Sequence, residues 1–264
     1  MNAHRFPLLV LVVTICSAVV SAGADRIAKD LPPGTIQLRG LGPPLRPHSR
    51  KKWLEAYQKR HPEVVVSYDV IGSGEGTKQF LAGAVDFGAS DAALSDAEMA
   101  MVKPGAQLVP VLAGTIVLAY NLDGLSGPLK LSRAVYVDIF LGKITSWDDP
   151  RIQQLNPGLK LPRQDSALVV RQDGSGTTYA FTNHLSAISQ EWRERGPGVG
   201  SLIAWPRPAM AVPGNEGVAG RIKLSKGAIG YVEYGIAQRS DMAMAWLENL
   251  VSPAVCISAR NGRS

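Results

Sequence analysis

The chain has 264 residues, 45% of them hydrophobic, which is enough for two lobes of ordinary size with a normal buried core. The net charge is +6, but the Lys and Arg residues are scattered and only 6% of residues are aromatic, so the composition argues against a nucleic-acid-binding protein. A positively charged chain still attracts small anions.

The first 24 residues are predicted to be a cleavable signal peptide that sends the chain to the periplasm. A basic start, an apolar run over residues 8–20 and the small residues Ala22-Gly23-Ala24 follow the pattern of such signals. The apolar run is short for a membrane-spanning helix. Because Cys16 lies inside it, cleavage would leave Cys256 as the only thiol, and an intramolecular disulfide is not expected.

Residues 25–109 are predicted to form the N-terminal part of a first lobe, in which strands and helices alternate. Its predicted elements are a strand at 35–38, a loop at 39–47, a helix around 53–57, a strand at 64–68, a glycine-rich turn at 72–76, a helix from about 77 and a strand at 85–91.

Residues 110–243 are predicted to form a second lobe, and residues 244–264 a divergent C-terminal tail. The predicted elements of this lobe are a strand at 115–120, helices at 133–140 and 148–155, a strand at 167–170, a helix at 179–185, a Gly/Pro-rich connection at 196–214, a short helix from 217 and a strand at 227–232. Alternating strands and helices predict mixed, mostly parallel sheets, which bind ligands at the carboxyl ends of their strands.

The segment 171–177 lies between a predicted buried strand and a predicted amphipathic helix. The first N–H groups of a helix have no internal partner and carry partial positive charge. Two glycines let the backbone approach a ligand, Ser175 and Thr177 add hydroxyl donors, and Arg171 adds a planar cation. The segment therefore predicts a site for a tetrahedral anion. The alternative is that Asp173 or Ser175 only caps the helix and that Arg171 is solvated.

Three further residues at predicted strand ends complete the candidate site: Leu45 through its N–H, Ser73 through its hydroxyl, and Asp91 as an acceptor. A carboxylate repels a bare dianion but accepts a hydrogen bond from an oxyanion that still carries a proton. Phosphate keeps a proton near neutral pH and sulfate does not, so Asp91 would select phosphate. The alternative role for Asp91 is to cap the turn at 92–93.

An enzymatic function has weaker support in the sequence. A secreted phosphoester hydrolase with Ser175 or Ser73 as its nucleophile remains the alternative. However, neither serine lies in a nucleophile-elbow motif, no phosphate-loop lysine is present, and no His, Cys or Asp group has metal-ligand spacing. We therefore expect a binding protein without catalytic residues, cofactor or metal.

Long stretches of the sequence resemble the periplasmic phosphate-binding protein of the bacterial phosphate ABC transporter. They are residues 71–73, 78–79, 85–92, 94–96, 141–144, 147–149, 155–162, 173–177 and 227–234. The resemblance implies a two-lobe Venus-flytrap fold that closes on one phosphate ion and delivers it to an inner-membrane permease, and we expect a monomer. It also implies a set of phosphate donors, namely Ser73, Arg171, Ser175, Gly176 and Thr177.

The resemblance further implies that Asp91 accepts the proton of phosphate and that Asp173 holds Arg171 in place.

The sequence departs from the family pattern in two places, and both affect what we expect of phosphate binding and of the fold. The first loop has Pro44 and Leu45 where the family has a Thr and a Phe, so one hydroxyl donor is missing, at a cost of about 1.5–3 kcal/mol. The sequence after Met244 also departs, which predicts that the second half of the first lobe is missing; a truncated, non-functional remnant is therefore a further alternative.

Overall fold

The computed structural model describes residues 33–44, 47–103, 105–249 and 256–257. The chain divides into two compact units, one with the residues up to Leu38 and His48–Ser67, the other with Arg39–Pro47 and the residues from Tyr68 onward. The predicted signal peptide, Leu45 and most of the predicted tail lie outside the described residues. The lobe boundaries derived from the sequence stay a prediction.

The described strands are β1 (Ile36–Gly42), β2 (Val64–Val70), β3 (Phe87–Gly88), β4 (Ile116–Tyr120), β5 (Lys130–Leu131), β6 (Ala167–Arg171), β7 (Ala209–Val212), β8 (Ala228–Glu233), β9 (Ala243–Met244), β10 (Trp246–Glu248) and β11 (Cys256–Ile257). The described helices are α1 (Pro47–Arg60), α2 (Ser73–Leu81), α3 (Asp96–Met101), α4 (Arg133–Leu141), α5 (Pro150–Leu155), α6 (Gly176–Ile188), α7 (Gln190–Glu194), α8 (Gly214–Leu224) and α9 (Tyr234–Arg239).

The smaller unit contains most of α1 and the first part of β2. Helix α1 ends on Lys59 and Arg60, whose positive charges are favourable at the negative end of the helix dipole. The Tyr57 and His61 rings stack at 4.5 Å across the last turn. Trp53 is 44% exposed, because it lies on the solvent face of this largely polar helix.

The larger unit is built on a five-stranded sheet with the strand order β7-β6-β8-β4-β9. Strand β6 is parallel to both β7 and β8, whereas β4 is antiparallel to both β8 and β9. The larger unit also contains a small mixed sheet of β5, β10 and β11, and strand β3 is parallel to β1. The expected α/β class with mixed sheets is therefore confirmed.

Two hydrophobic clusters lie on the two faces of the five-stranded sheet. Successive strand residues point to opposite faces, so neighbours such as Leu168 and Val169 join different clusters. One cluster packs the sheet against α4–α7 and contains the buried Trp147 and Trp192. The other packs it against α8 and α9. This layered core holds the carboxyl end of β6, where the predicted anion segment begins.

Most predicted elements are present, although several boundaries differ. Residues 39–42, predicted as a loop, continue β1, because Gly40 and Leu41 pair with Phe87 and Gly88. The strand predicted at 85–91 is only two residues long, and Asp91 follows it in a bend. The connection at 196–214 contains the missed strand β7, which pairs with β6 in register from Leu168 to Arg171. Such pairings with distant strands cannot be read from local sequence.

The start of the predicted tail takes part in the fold of the larger unit. Ala245 is buried, and Trp246 donates its N–H to the carbonyl of Leu129 at 2.8 Å. Leu247 then pairs with Leu131 in the parallel contact of β10 with β5. Within the described part of the chain, no helix combines the length and hydropathy that a membrane span requires.

Candidate anion-binding site

Arg171 is the last residue of β6 and is only 6% exposed. Its Nε donates to Asp173 Oδ1 at 2.7 Å, and its Nη2 donates to Asp173 Oδ2. Asp173 also accepts the N–H of Gly214 at 3.1 Å. Arg171 is therefore held in a fixed orientation by its neighbour rather than solvated, which excludes the solvated alternative for this residue.

Asp173 carries its charge in this position because of those hydrogen bonds. Partial burial alone would raise the pKa of its carboxyl group, but the donors from Arg171 and from the Gly214 N–H outweigh burial and lower the pKa below its ordinary value. The pair is thus an anchored guanidinium whose remaining N–H groups are available to a ligand.

The N-terminus of α6 lies at the same end of β6. Ser175 caps this helix, with its Oγ accepting the Thr178 N–H at 3.1 Å, as the capping alternative predicted. The N–H groups of Gly176 and Thr177, in the first turn, have no partner within the helix. Ser175 is fully buried and Thr177 is nearly so, and the hydroxyl proton of Ser175 remains free to donate because its cap role uses only a lone pair.

A second helix N-terminus, that of α2, meets the first. Gly72, which has a φ of 86°, precedes α2 without any side-chain cap. The Gly74 N–H donates to the Gly174 carbonyl at 2.9 Å, which joins the two glycine-rich turns directly. A side chain at Gly74 would place its Cβ 2.8 Å from Gly174 Cα, so only glycine allows this approach.

Asp91 lies between the two helix starts. Its N–H donates to Ser73 Oγ at 3.3 Å, and its Oδ2 faces Thr177 Oγ1 at 3.4 Å. The alternative role of Asp91, capping the turn at 92–93, has no support, because the Ala92 N–H donates to Ser90 Oγ instead. The structure thus brings Ser73, Asp91 and Thr177 together.

The pKa of Asp91 is raised above its ordinary value. Desolvation of the carboxyl group is the largest cause, and the negative charge of Glu233 acts in the same direction, while the Thr177 hydrogen bond and the charge of Arg171 oppose the increase. The desolvation concerns the carboxyl group, because the Asp91 residue still has part of its surface exposed to solvent. A carboxylate whose pKa is raised is a good partner for a proton carried by a ligand.

Two participating residues were missed by sequence reasoning. Asn215 donates from Nδ2 to Thr177 Oγ1 at 3.2 Å. The hydroxyl of Tyr231 accepts the Arg171 N–H at 3.2 Å and lies 2.7 Å from Thr178 Oγ1. The turn 214–217 that opens α8 could have indicated Asn215, since it resembles the other glycine-containing helix starts. Tyr231 lies inside a buried strand and has no such signal.

The structure places seven of the eight predicted site residues, and Leu45 lies outside the described residues. Pro44, which precedes it, is half-buried.

Among the residues described, no group of three or more His, Cys, Asp or Glu side chains could hold a metal. The Oγ of Ser175 has only the Thr178 N–H as its hydrogen-bond partner within the described ranges, so no observation favours its activation as a nucleophile.

Gly176 is the point of closest approach in the site, and Gly176→Ala tests it. The added Cβ would lie 2.5 Å from Asp91 Cβ and 2.8 Å from Ser73 Oγ, so the segments must separate, and we expect a loss of about 1–3 kcal/mol in the free energy of unfolding. Gly220→Ala, in the middle of α8, is the matched control, because nothing lies within 4 Å of its Cβ. Urea denaturation should show that Gly220→Ala is more stable than the unmodified chain by about 0.4–1 kcal/mol.

A family model and curated relatives match most of this chain. A family model described as a PBP superfamily domain matches residues 49–259. A curated relative, the phosphate-binding protein PstS of Pasteurella multocida (strain Pm70), is 41% identical over 210 residues, which are 80% of this chain and 60% of the relative. The phosphate-binding protein PstS of Methanocaldococcus jannaschii is 37% identical over 252 residues, 92% of this chain and 64% of the relative. The chain thus spans less than two thirds of the length of these relatives.

Solved structures show the same fold. An ABC-type phosphate transport receptor from Vibrio cholerae has a TM-score of 0.53 at 22% identity, covering 82% of this chain and 78% of that one. A phosphate-binding protein from Stenotrophomonas maltophilia has a TM-score of 0.60 at 22% identity, covering 81% and 65%. The two-lobe α/β fold class expected from the sequence is confirmed by these neighbours. Together with the family match over most of the chain, this shows that the protein belongs to the PBP superfamily.

Proposed function

We propose that this chain binds inorganic phosphate in the periplasm and delivers it to the permease of an ABC transporter for uptake. The observation that carries the proposal is the position of Asp91 between the N-termini of α2 and α6, with Thr177 Oγ1 3.4 Å from its carboxylate. Two helix N-termini and the guanidinium of Arg171 attract a tetrahedral anion. The carboxylate restricts that anion to one that carries a proton.

Each predicted site residue has a role in this proposal. Ser73, Ser175 and Thr177 donate their hydroxyl protons, and Gly176 and Thr177 donate the first N–H groups of α6. Arg171 donates from its guanidinium, and Asp173 fixes that group in place. Asp91 accepts the ligand proton. Leu45 would add a backbone N–H from the first loop.

The relatives' names support the choice of ligand, since both curated relatives are called phosphate-binding proteins. One solved neighbour is described as a phosphate transport receptor of the ABC type, which supports the permease partner. We propose that the protein is a monomer and a binding protein rather than an enzyme, and that it binds neither nucleic acid nor a cofactor. We also propose that the signal peptide at 1–24 directs it to the periplasm.

Isothermal calorimetry with phosphate and with sulfate tests the proposed function. We expect phosphate to bind and sulfate to bind about 10⁴-fold more weakly or not at all, because sulfate leaves the Asp91 acceptor unpaired. Phosphate should also raise the melting temperature of a cooperative transition, since a ligand that binds only the folded state stabilises it. Equal affinities for the two anions would contradict the selectivity. A broad melt that phosphate does not shift would identify a non-functional remnant.

A further inference from the structure

Asn215 is the second residue of α8 and is buried, with only 7% of its surface exposed. Its Nδ2 donates to Thr177 Oγ1 at 3.2 Å. Its Oδ1 is also buried and has no hydrogen-bond partner among the residues described. Nδ2 rather than Oδ1 is paired with Thr177 Oγ1, so the amide acts on this hydroxyl as a donor.

The orientation of this amide decides what the Thr177 hydroxyl can do. A hydroxyl has one proton to donate and two lone pairs that accept. When the Asn215 N–H occupies a lone pair, the proton must point elsewhere, and Asp91 Oδ2 lies 3.4 Å away on the pocket side. Asn215 thus presents Thr177 to the pocket as a donor.

The start of α8 also fixes the position of Asn215. The Gly214 N–H donates to Asp173 Oδ1 at 3.1 Å, and Asp173 is the residue that holds Arg171. Gly214 has a φ of 69°, a conformation that favours glycine. One helix start therefore connects the cation of the site, through Asp173, with the hydroxyl of Thr177, through Asn215.

We infer that Asn215 is a positioning residue for anion binding, which acts by directing the hydroxyl proton of Thr177 into the pocket. The inference rests on the proposed function, because the hydroxyl proton matters only if an anion accepts it. In the empty site Asp91 can accept this proton, and in the occupied site an oxygen of the anion replaces Asp91 as its acceptor.

A double-mutant cycle of Asn215→Ala and Thr177→Val, read out as phosphate affinity by calorimetry, tests the inference. Thr177→Val keeps the side-chain shape and removes the hydroxyl. We expect Thr177→Val to weaken phosphate binding about ten- to a hundredfold, the effect of one hydrogen bond to a charged ligand, and Asn215→Ala to weaken it by no more than that. If Asn215 acts only through the hydroxyl, the double variant should bind no more weakly than Thr177→Val alone.

Asn215→Asp replaces the Asn215 donor with an acceptor of nearly the same shape. The aspartate accepts the Thr177 proton and also adds a negative charge near the anion, so phosphate should bind more weakly than to Asn215→Ala. Ser186→Ala is the matched control, because Ser186 lies on α6 with Thr177 and its buried Oγ also has no partner within the described ranges. This control should bind phosphate as the unmodified chain does.

Three outcomes would overturn the inference. Additive losses in the double variant would show that Asn215 acts independently of the Thr177 hydroxyl. Unchanged affinity in Asn215→Asp would show that the direction of the proton has no effect. If the unmodified chain binds no phosphate, the proposed function fails and the inference fails with it, whereas the first two outcomes leave the proposed function intact.

Discussion

Asp91→Asn is expected to remove the preference for phosphate over sulfate, changing the ratio of the two affinities by about 10⁴-fold. The carboxylate of Asp91 accepts a ligand proton, and a ligand without one leaves that acceptor unpaired in the site. An amide at this position can donate to either anion, so sulfate should gain affinity while phosphate loses some. Competition calorimetry with both anions measures the ratio.

Asp123→Asn is the matched control for this substitution. Asp123 is a surface carboxylate, 70% exposed, whose ion pair with Lys226 lies at 2.8 Å. Removing it changes the net charge by the same amount as Asp91→Asn. If the control shifts the phosphate-to-sulfate ratio as much as Asp91→Asn does, then selectivity follows net charge and the assigned role of Asp91 is wrong.

Asp91→Asn should also make the unliganded protein more stable at neutral pH. The pKa of Asp91 is higher in the folded protein than in the unfolded chain, mainly because folding desolvates the carboxyl group. The folded state therefore binds the proton of Asp91 more tightly than the unfolded chain does. The stability that this proton contributes is fully present below the unfolded pKa of about 3.9 and is lost as pH rises through the folded pKa. Melting temperatures of Asp91→Asn and the unmodified chain should agree best at the acid end and separate towards pH of about 7. A constant difference across this range would contradict the argument.

Arg171→Met is expected to weaken phosphate binding by about a hundredfold or more and to lower the free energy of unfolding by about 2–4 kcal/mol. The guanidinium is buried at the carboxyl end of β6, and its loss leaves the carboxylate of Asp173 without the two guanidinium donors that balance its charge. The stability loss should lie in the lower part of the range for broken buried pairs, because the Asp173 side chain is 30% exposed. Calorimetry gives the affinity, and urea denaturation gives the stability.

Two further variants separate the binding effect from the stability effect. Arg207→Met removes another partly buried guanidinium, whose bonds to the Ser166 and Ile144 carbonyl oxygens lie away from the site. It should lower stability but leave phosphate affinity unchanged. The double variant Arg171→Met with Asp173→Asn should recover much of the stability, because no unpaired charge remains, without recovering affinity. Normal phosphate binding by this double variant would exclude a direct contact of Arg171 with the anion.

Local sequence was sufficient wherever a site residue lies at the end of its own secondary-structure element. Arg171 follows an apolar strand and Ser175 precedes an amphipathic helix, and both transitions are visible in the order of residues along the chain. The same holds for Ser73 at the start of α2. Hydrophobic period and helix-start chemistry act over a few residues, so the chemistry of each turn was predictable.

Sequence could not establish that these turns meet, and the tertiary structure decided that point. The Asp91 and Thr177 side chains approach across 86 positions of sequence, and Gly176 lies against Asp91 because no side chain separates them. Asn215 and Tyr231 entered the site in the same way, through α8 and a strand whose position follows from the β6–β8 pairing. The residues by themselves determined which groups could bind an anion. The order and direction of the strands determined which of those groups come together, because strand pairing depends on long-range contacts that no local pattern encodes.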